Sequence, residues 1–204
     1  MPKTDTSPMP FLIAFVGWHN SGKTTVAVQV ASLLHRQGFR VGVLKSTKET
    51  GLAPERAGSD TSRYSEAGAM RVALSAPDTL IVRENEDNAA RRNPVTLACC
   101  LFPDMDFVLI EGFKHARGLA KIEVRREGIK EEAISTGQAG HNVIALVCDS
   151  PVAENLPCFR TDDSAGIARF ITGLREQGSK QQTTLQPEEQ RADCSCNTTA
   201  HSTP

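Results

Sequence analysis

The spacing G-x-x-x-x-G-K-T, at Gly17-Trp18-His19-Asn20-Ser21-Gly22-Lys23-Thr24, restricts the possible fold more than any other feature of this chain. Glycines at both ends let the backbone curl so that successive N–H groups face inward at phosphate oxygens. A loop of this kind has to join a strand to a helix, and both neighbours carry the right pattern. Phe11-Leu12-Ile13-Ala14-Phe15-Val16 is an unbroken apolar run with the length and β-branching of a buried strand. Downstream, Val26, Val30, Leu33 and Leu34 fall at i, i+4, i+7 and i+8 on one helical face, and Gly38 stands where a C-cap glycine belongs. The N-terminus of that helix adds its partial positive charge to the loop.

The candidate phosphate-binding set is therefore Gly17, His19, Asn20, Ser21, Gly22, Lys23, Thr24 and Thr25. Lys23 is placed to reach the β- and γ-phosphates, and the Thr24 hydroxyl to ligate Mg²⁺. Trp18 either stacks on a ligand or covers the loop, and His19 reads as a loop-shaping polar residue rather than a base. A second chemical signal lies in Asp104-Met105-Asp106-Phe107-Val108-Leu109-Ile110-Glu111-Gly112, an apolar strand that ends in a carboxylate. In proteins built on this loop, the strand beside the loop strand ends in an acid near Mg²⁺ and its waters. Here the acid is the longer Glu111, so contact through a water or an orienting role is expected. Lys23 and Glu111 are the candidate catalytic pair. Asp149 follows a late strand, at a position suited either to contact with a base or to capping a turn.

The net charge is −1 and the isoelectric point about 6.5, which gives no electrostatic footprint for nucleic acid or an anionic membrane. No apolar run approaches the roughly 18 residues of a membrane span. Residues 1–10 are polar and proline-rich, without the apolar core of a secretory signal, so a cytoplasmic location is expected. The six cysteines should then be reduced thiols, with Cys99 and Cys100 as small buried hydrophobes. The pattern predicts a strand over 39–45, a loop over 46–57, and a short helix capped by Ser59 or Asp60 and ending near Gly68. Short strands over 71–75 and 79–83 flank Pro77-Asp78, a charged surface loop spans 84–93, and Pro94 opens a helix over 94–102. Residues 119–125 alternate apolar and polar as a half-exposed strand does, 128–140 are polar and irregular, and 142–149 form a buried strand. A last helix, 165–176, is capped within Thr161-Asp162-Asp163-Ser164. From Gln177 the composition turns to Gln, Thr, Ser, Glu and Pro, that of a disordered tail. Its Cys194, Cys196 and His201 fall short of a closed four-ligand metal set. The expected organisation is a flexible segment 1–10, a nucleotide-binding domain 11–176 and the tail 177–204. The fold class is α/β, a P-loop NTPase with a mostly parallel sheet flanked by helices.

Four segments together resemble the molybdopterin-guanine dinucleotide biosynthesis protein B (MobB) family. They are residues 14–25 around the loop, Gly42-Val43-Leu44-Lys45, Gly58-Ser59-Asp60-Thr61-Ser62-Arg63 with Ala67-Gly68-Ala69, and Ile110-Glu111-Gly112-Phe113-Lys114-His115 with Lys121-Ile122-Glu123-Val124. The last of these is the most specific. The resemblance implies a GTP-binding adapter of molybdenum-cofactor biosynthesis, which serves the guanylyltransferase that joins molybdopterin to GMP. It further implies a homodimer, with Lys45, Asp60 and Glu111 lining the phosphate and Mg²⁺ region and Thr24, Asp60 and Glu111 as metal ligands. The family carries histidines after the second strand, whereas this chain has Lys45-Ser46-Thr47-Lys48-Glu49. With no obvious water-orienting glutamine and no arginine finger, at most slow GTP hydrolysis is expected. The alternatives are an ATP-dependent small-molecule kinase or ligase, with Arg83, Arg91 and Arg92 as lid arginines, and a nucleotide-switched maturation factor for another metal cofactor.

Overall fold

The computed structural model describes residues 9–47, 59–84, 93–128, 132–137, 141–150 and 155–182. In chain order the elements are β1 (Phe11–Val16), α1 (Lys23–Arg36), β2 (Val41–Lys45), α2 (Asp60–Glu66), β3 (Arg71–Ser75), β4 (Leu80–Glu84), α3 (Pro94–Leu101), β5 (Phe107–Glu111), β6 (Lys121–Val124), β7 (Val143–Val147), β8 (Cys158–Phe159) and α4 (Ser164–Gln182). A short 3-10 turn, Ile134–Thr136, lies between β6 and β7.

The strands other than β3 and β4 form one sheet in the order β2-β5-β1-β6-β7-β8, with every pairing parallel. Apolar alternation along the central strands assigns its two faces. Ile13 and Phe15 of β1, with Phe107 and Leu109 of β5, meet Val26, Val30 and Leu34 of α1 and Ile167 and Ile171 of α4. Ala14 and Val16, with Val108 and Ile110, point the other way, toward Ala98 of α3, Leu119 and Ile134. At the amino end of β5, Arg175 of α4 donates to Asp106 Oδ1 at 3.0 Å and lies over the rings of Phe39 and Phe107, 5.4 and 4.9 Å from their centroids. A backbone hydrogen bond from Arg40, together with the Arg175 charge, holds the Asp106 carboxyl below the usual aspartate range.

Residues 47–93 form a separate compact unit. Within it α2 is capped by Ser59, whose Oγ accepts from Ser62 N at 3.2 Å, and β3 and β4 make an antiparallel ribbon. The two short strands expected around Pro77 are both present.

Three expectations change. Residues 121–124 are not half exposed: β6 is an interior strand between β1 and β7, and its polar members Lys121 and Glu123 are each 1 % exposed. Their side chains are satisfied inside, Lys121 Nζ by the His141 carbonyl at 3.0 Å and Glu123 as described below. The last helix runs to Gln182 rather than ending at Glu176, since Ser, Lys and Gln do not break a helix. Cys100 is exposed and Cys99 half-buried, because α3 turns Ala98 and Pro94 inward instead. Cys148 is buried where β7 meets β8, with its Sγ 3.0 Å from that of Cys158, and burial and that neighbour push its thiol up to about 12. Most of the 46–57 and 84–93 segments, together with Cys194, Cys196 and His201, lie outside the described residues.

Phe107 is fully buried and takes edge-on contacts from Phe11 and Phe39, at 5.9 and 5.0 Å between centroids. Phe107→Ala is expected to cost about 3–5 kcal/mol of stability, read as a lower urea midpoint at unchanged slope.

Candidate functional site

A parallel sheet brings the carboxyl ends of its strands to one edge, where open α/β folds bind ligands. Gly17 leaves the end of β1 there, Lys45 and Glu111 are the last residues of β2 and β5, and the register pairs Lys45 with Glu111 and Glu111 with Phe15. The phosphate loop is thus flanked on its β5 side by an ion pair that strand pairing sets in place.

The loop has the expected shape. A Cβ on Gly17 would collide with the Val124 carbonyl and Ser21 Oγ, so only glycine fits against β6. Asn20 and Gly22 both take left-handed conformations, with φ of 60° and 92°. Gly22 caps α1 without a side-chain hydrogen bond, and no acidic residue stands in the first turn. The leading N–H groups of the helix therefore remain available to an anion.

Side chains close the mouth of the loop. Thr24 Oγ1 donates to Glu111 Oε1 at 2.7 Å, and Lys45 Nζ donates to the same oxygen at 2.8 Å and to Thr24 Oγ1 at 3.3 Å. Burial alone would raise the Glu111 carboxyl. Hydrogen bonds from Lys45 and Thr24, with the charges of Lys45 and Lys23, outweigh burial and hold it below the usual glutamate range. Lys23 Nζ donates to the Trp18 carbonyl at 2.6 Å. Desolvation lowers its pKa, Glu111 opposes that, and the ammonium groups of Lys45 and Lys114 add to it. Lys45 and Lys23 therefore share the Glu111 carboxylate, with Lys114 a third positive charge beside Lys23, an arrangement that attracts a polyanion.

Trp18 covers the loop: its indole N–H donates to the Glu132 carbonyl at 2.8 Å and its ring carries Lys114 Nζ 3.4 Å from the centroid. Beneath it, a cavity of about 90 Å³ is lined by Trp18, Ser21, Glu123, Val124, Arg125, Arg126 and Ala133. Ser21 Oγ is buried there without a partner among the described residues, and the space suffices for water.

Of the residues expected at the site, the structure groups Gly17, His19, Asn20, Ser21, Gly22, Lys23, Thr24, Thr25, Lys45 and Glu111 on the loop or at its mouth. His19 and Thr25 are exposed. Asp149 follows β7, and its carboxylate accepts from Thr161 N at 3.1 Å and Thr161 Oγ1 at 2.7 Å, a tie to the segment after β8. Asp60 belongs to the second unit, on the first turn of α2, 3.8 Å from Arg63. Arg83 lies in β4, while Arg91 and Arg92 fall outside the described residues. Sequence reasoning missed Lys114 as a partner of Trp18, and gave Glu123 no role beyond its place in a resembling segment. The signal for Glu123 was an acid inside a strand with an arginine two residues on.

A carboxylate whose folded pKa lies below its unfolded value stabilises the fold above the ordinary range, and that contribution fades as pH falls through the folded value. Glu111→Gln is therefore expected to lower the urea midpoint at about pH 7, and the gap from the parent protein should shrink on titration below about pH 4.

The chain matches the family model of molybdopterin guanine dinucleotide synthesis protein B over residues 12–149. It is 27 % identical over 164 residues to the molybdopterin-guanine dinucleotide biosynthesis adapter protein of Escherichia coli K12, covering 78 % of this chain and 90 % of that protein. It is 30 % identical over 176 residues to the probable adapter protein of the same name from Bacillus subtilis 168, covering 82 % and 95 %. The fold matches a crystal structure of molybdopterin-guanine biosynthesis protein B with a TM-score of 0.64 at 25 % identity, over 81 % of this chain and 99 % of that one. It matches Bacillus subtilis MobB with a TM-score of 0.61 at 26 % identity, over 79 % and 96 %. With two thirds of its length inside the family model and the phosphate loop within that span, the chain belongs to the molybdopterin-guanine dinucleotide synthesis protein B family.

Proposed function

We propose that the chain binds GTP with Mg²⁺ in the loop after β1 and acts as an adapter in molybdopterin-guanine dinucleotide biosynthesis. It would hold nucleotide or pterin for a guanylyltransferase in the cytoplasm and hydrolyse GTP slowly. The observation that carries this reading is the cluster of Thr24, Lys45 and Glu111 at the uncapped N-terminus of α1. The adapter role follows the two curated relatives of that name.

The residues present suit both groups. Lys45 Nζ lies within hydrogen-bond reach of Thr24 Oγ1 and Glu111 Oε1, so this oxygen pair already accommodates a cation. Thr24 gives its proton to Glu111, which leaves hydroxyl lone pairs for Mg²⁺, and the Glu111 carboxylate can orient a bound water. When bound, Mg²⁺ would neutralise charge on the β- and γ-phosphates. The amides of the loop and of the first turn of α1 would hold the phosphates, with Lys23 leaving the Trp18 carbonyl to meet them. Arg125, one of two arginines lining the cavity beside the loop, donates to Glu123 and Ser135 at 3.0 and 2.6 Å, a structural assignment rather than that of a finger.

Lys23→Ala is expected to weaken GTP binding by about 1.5–3 kcal/mol in calorimetry. The pure protein should release phosphate from Mg²⁺-GTP at about 10⁻⁴ to 10⁻³ per second. Turnover near one per second (roughly a thousandfold above that range) would instead point to a true hydrolase or phosphotransferase.

A homodimer is the second part of the proposal. On one face of the β3–β4 ribbon, Ala73 pairs with Val82 and Ser75 with Leu80, and Leu80 and Val82 are 66 % and 54 % exposed. A two-stranded ribbon is marginal unless an apolar face is covered, and a second copy would supply the cover. Val82→Lys is expected to shift sedimentation from dimer to monomer while leaving GTP affinity within about twofold.

A further inference from the structure

Glu123 is a carboxylate that the phosphate chemistry does not require, yet it is almost fully buried in β6. Burying an ion is costly unless its oxygens are matched, and here both are. Oε1 accepts from Ile134 N at 2.7 Å; Oε2 accepts from Ser135 N at 2.9 Å and from Arg125 at 3.0 Å. Arg125 in turn donates to Ser135 Oγ at 2.6 Å. A buried ion pair of this kind contributes little net stability compared with apolar packing, so stability alone does not account for it.

What these bonds hold is the turn at 134–135, and that turn reaches the phosphate loop. Two residues before Ile134, the Glu132 carbonyl receives the indole N–H of Trp18 at 2.8 Å. The Trp18 carbonyl receives Lys23 Nζ, and its ring carries the Lys114 ammonium. Lys114 is thus set against the indole, whose orientation depends on the turn that Glu123 anchors, while Lys23 is held by the backbone carbonyl of the same residue.

We propose that Glu123 is a positioning residue for the nucleotide site: through the 132–135 turn and the Trp18 indole it sets where Lys114 presents its charge. It touches no ligand itself. The inference rests on the GTP reading of the loop, and the test separates the two.

Trp18 is the sole tryptophan in 204 residues, so its emission and its quenching by iodide report on the relay in protein without nucleotide. Glu123→Gln keeps the side chain's shape but turns an N–H₂ group toward N–H donors. With helix content unchanged by circular dichroism, this variant is expected to show stronger iodide quenching and a shifted Trp18 emission maximum. Its GTP affinity should fall about fivefold or more, the scale of coupled hydrogen-bond networks. Trp18→Phe, which lacks the indole N–H, should weaken GTP similarly, and the double variant should be no weaker than the worse single one. A folded Glu123→Gln protein with parental quenching, or strictly additive losses in the double variant, overturns the proposal. If Glu123→Gln does not fold, Ser135→Pro removes one amide donor to Glu123 together with the hydroxyl that receives Arg125, leaves the carboxylate in place, and is read by the same quenching criterion. A parent protein that binds no GTP would sink the nucleotide reading alone, because quenching still decides the relay.

Discussion

The hydrogen bond from Thr24 to Glu111, shared with Lys45, depends on the parallel register, and the rest of the site depends on it. Lys45 and Glu111 are side by side because β2 and β5 pair without offset at their carboxyl ends. Thr24 arrives because β1 lies on the other side of β5, and the loop after β1 returns its helix over that edge. A one-residue slip would turn Glu111 to the opposite face of the sheet and leave the hydroxyl and the ammonium without their common acceptor. The apolar alternation of β5 prevents the slip, since it would also drive Phe107 and Leu109 out of the α1–α4 layer.

The site is charged in a way that favours an occupant. Lys23 is partly desolvated among like charges, with Glu111 the carboxylate that opposes them, so the loop holds positive charge at a cost that an anion would offset. The three cations are held differently. Lys45 has a carboxylate partner and Lys114 rests on an aromatic face, while Lys23 is held by a neutral carbonyl with the Glu111 charge nearby.

Much of this could be read from the residues. Phe11 to Val16, the glycine spacing and the one-sided helix after it specify a strand, loop and helix almost without tertiary help. Glu111 was readable as the acid at the end of a wholly apolar strand. Glu123 was not, because an alternating strand looks the same whether its polar face meets water or meets a backbone turn that matches it. Only the sheet order, which puts β6 between β1 and β7, distinguishes the two. Trp18 stayed open for a related reason: both its partners, the Glu132 carbonyl and Lys114, come from segments with no periodicity to place them.

The strand order has a consequence for how the chain is made. Both neighbours of β1 are distant in sequence: β5 begins at Phe107 and β6 at Lys121. On a ribosome, the wholly apolar β1 therefore emerges well before either of its strand partners. Parallel pairings across such separations are slow to close, and their uncovered edges recruit other chains meanwhile. Nascent chains arrested before Phe107 are thus the form of this protein most dependent on chaperone cover.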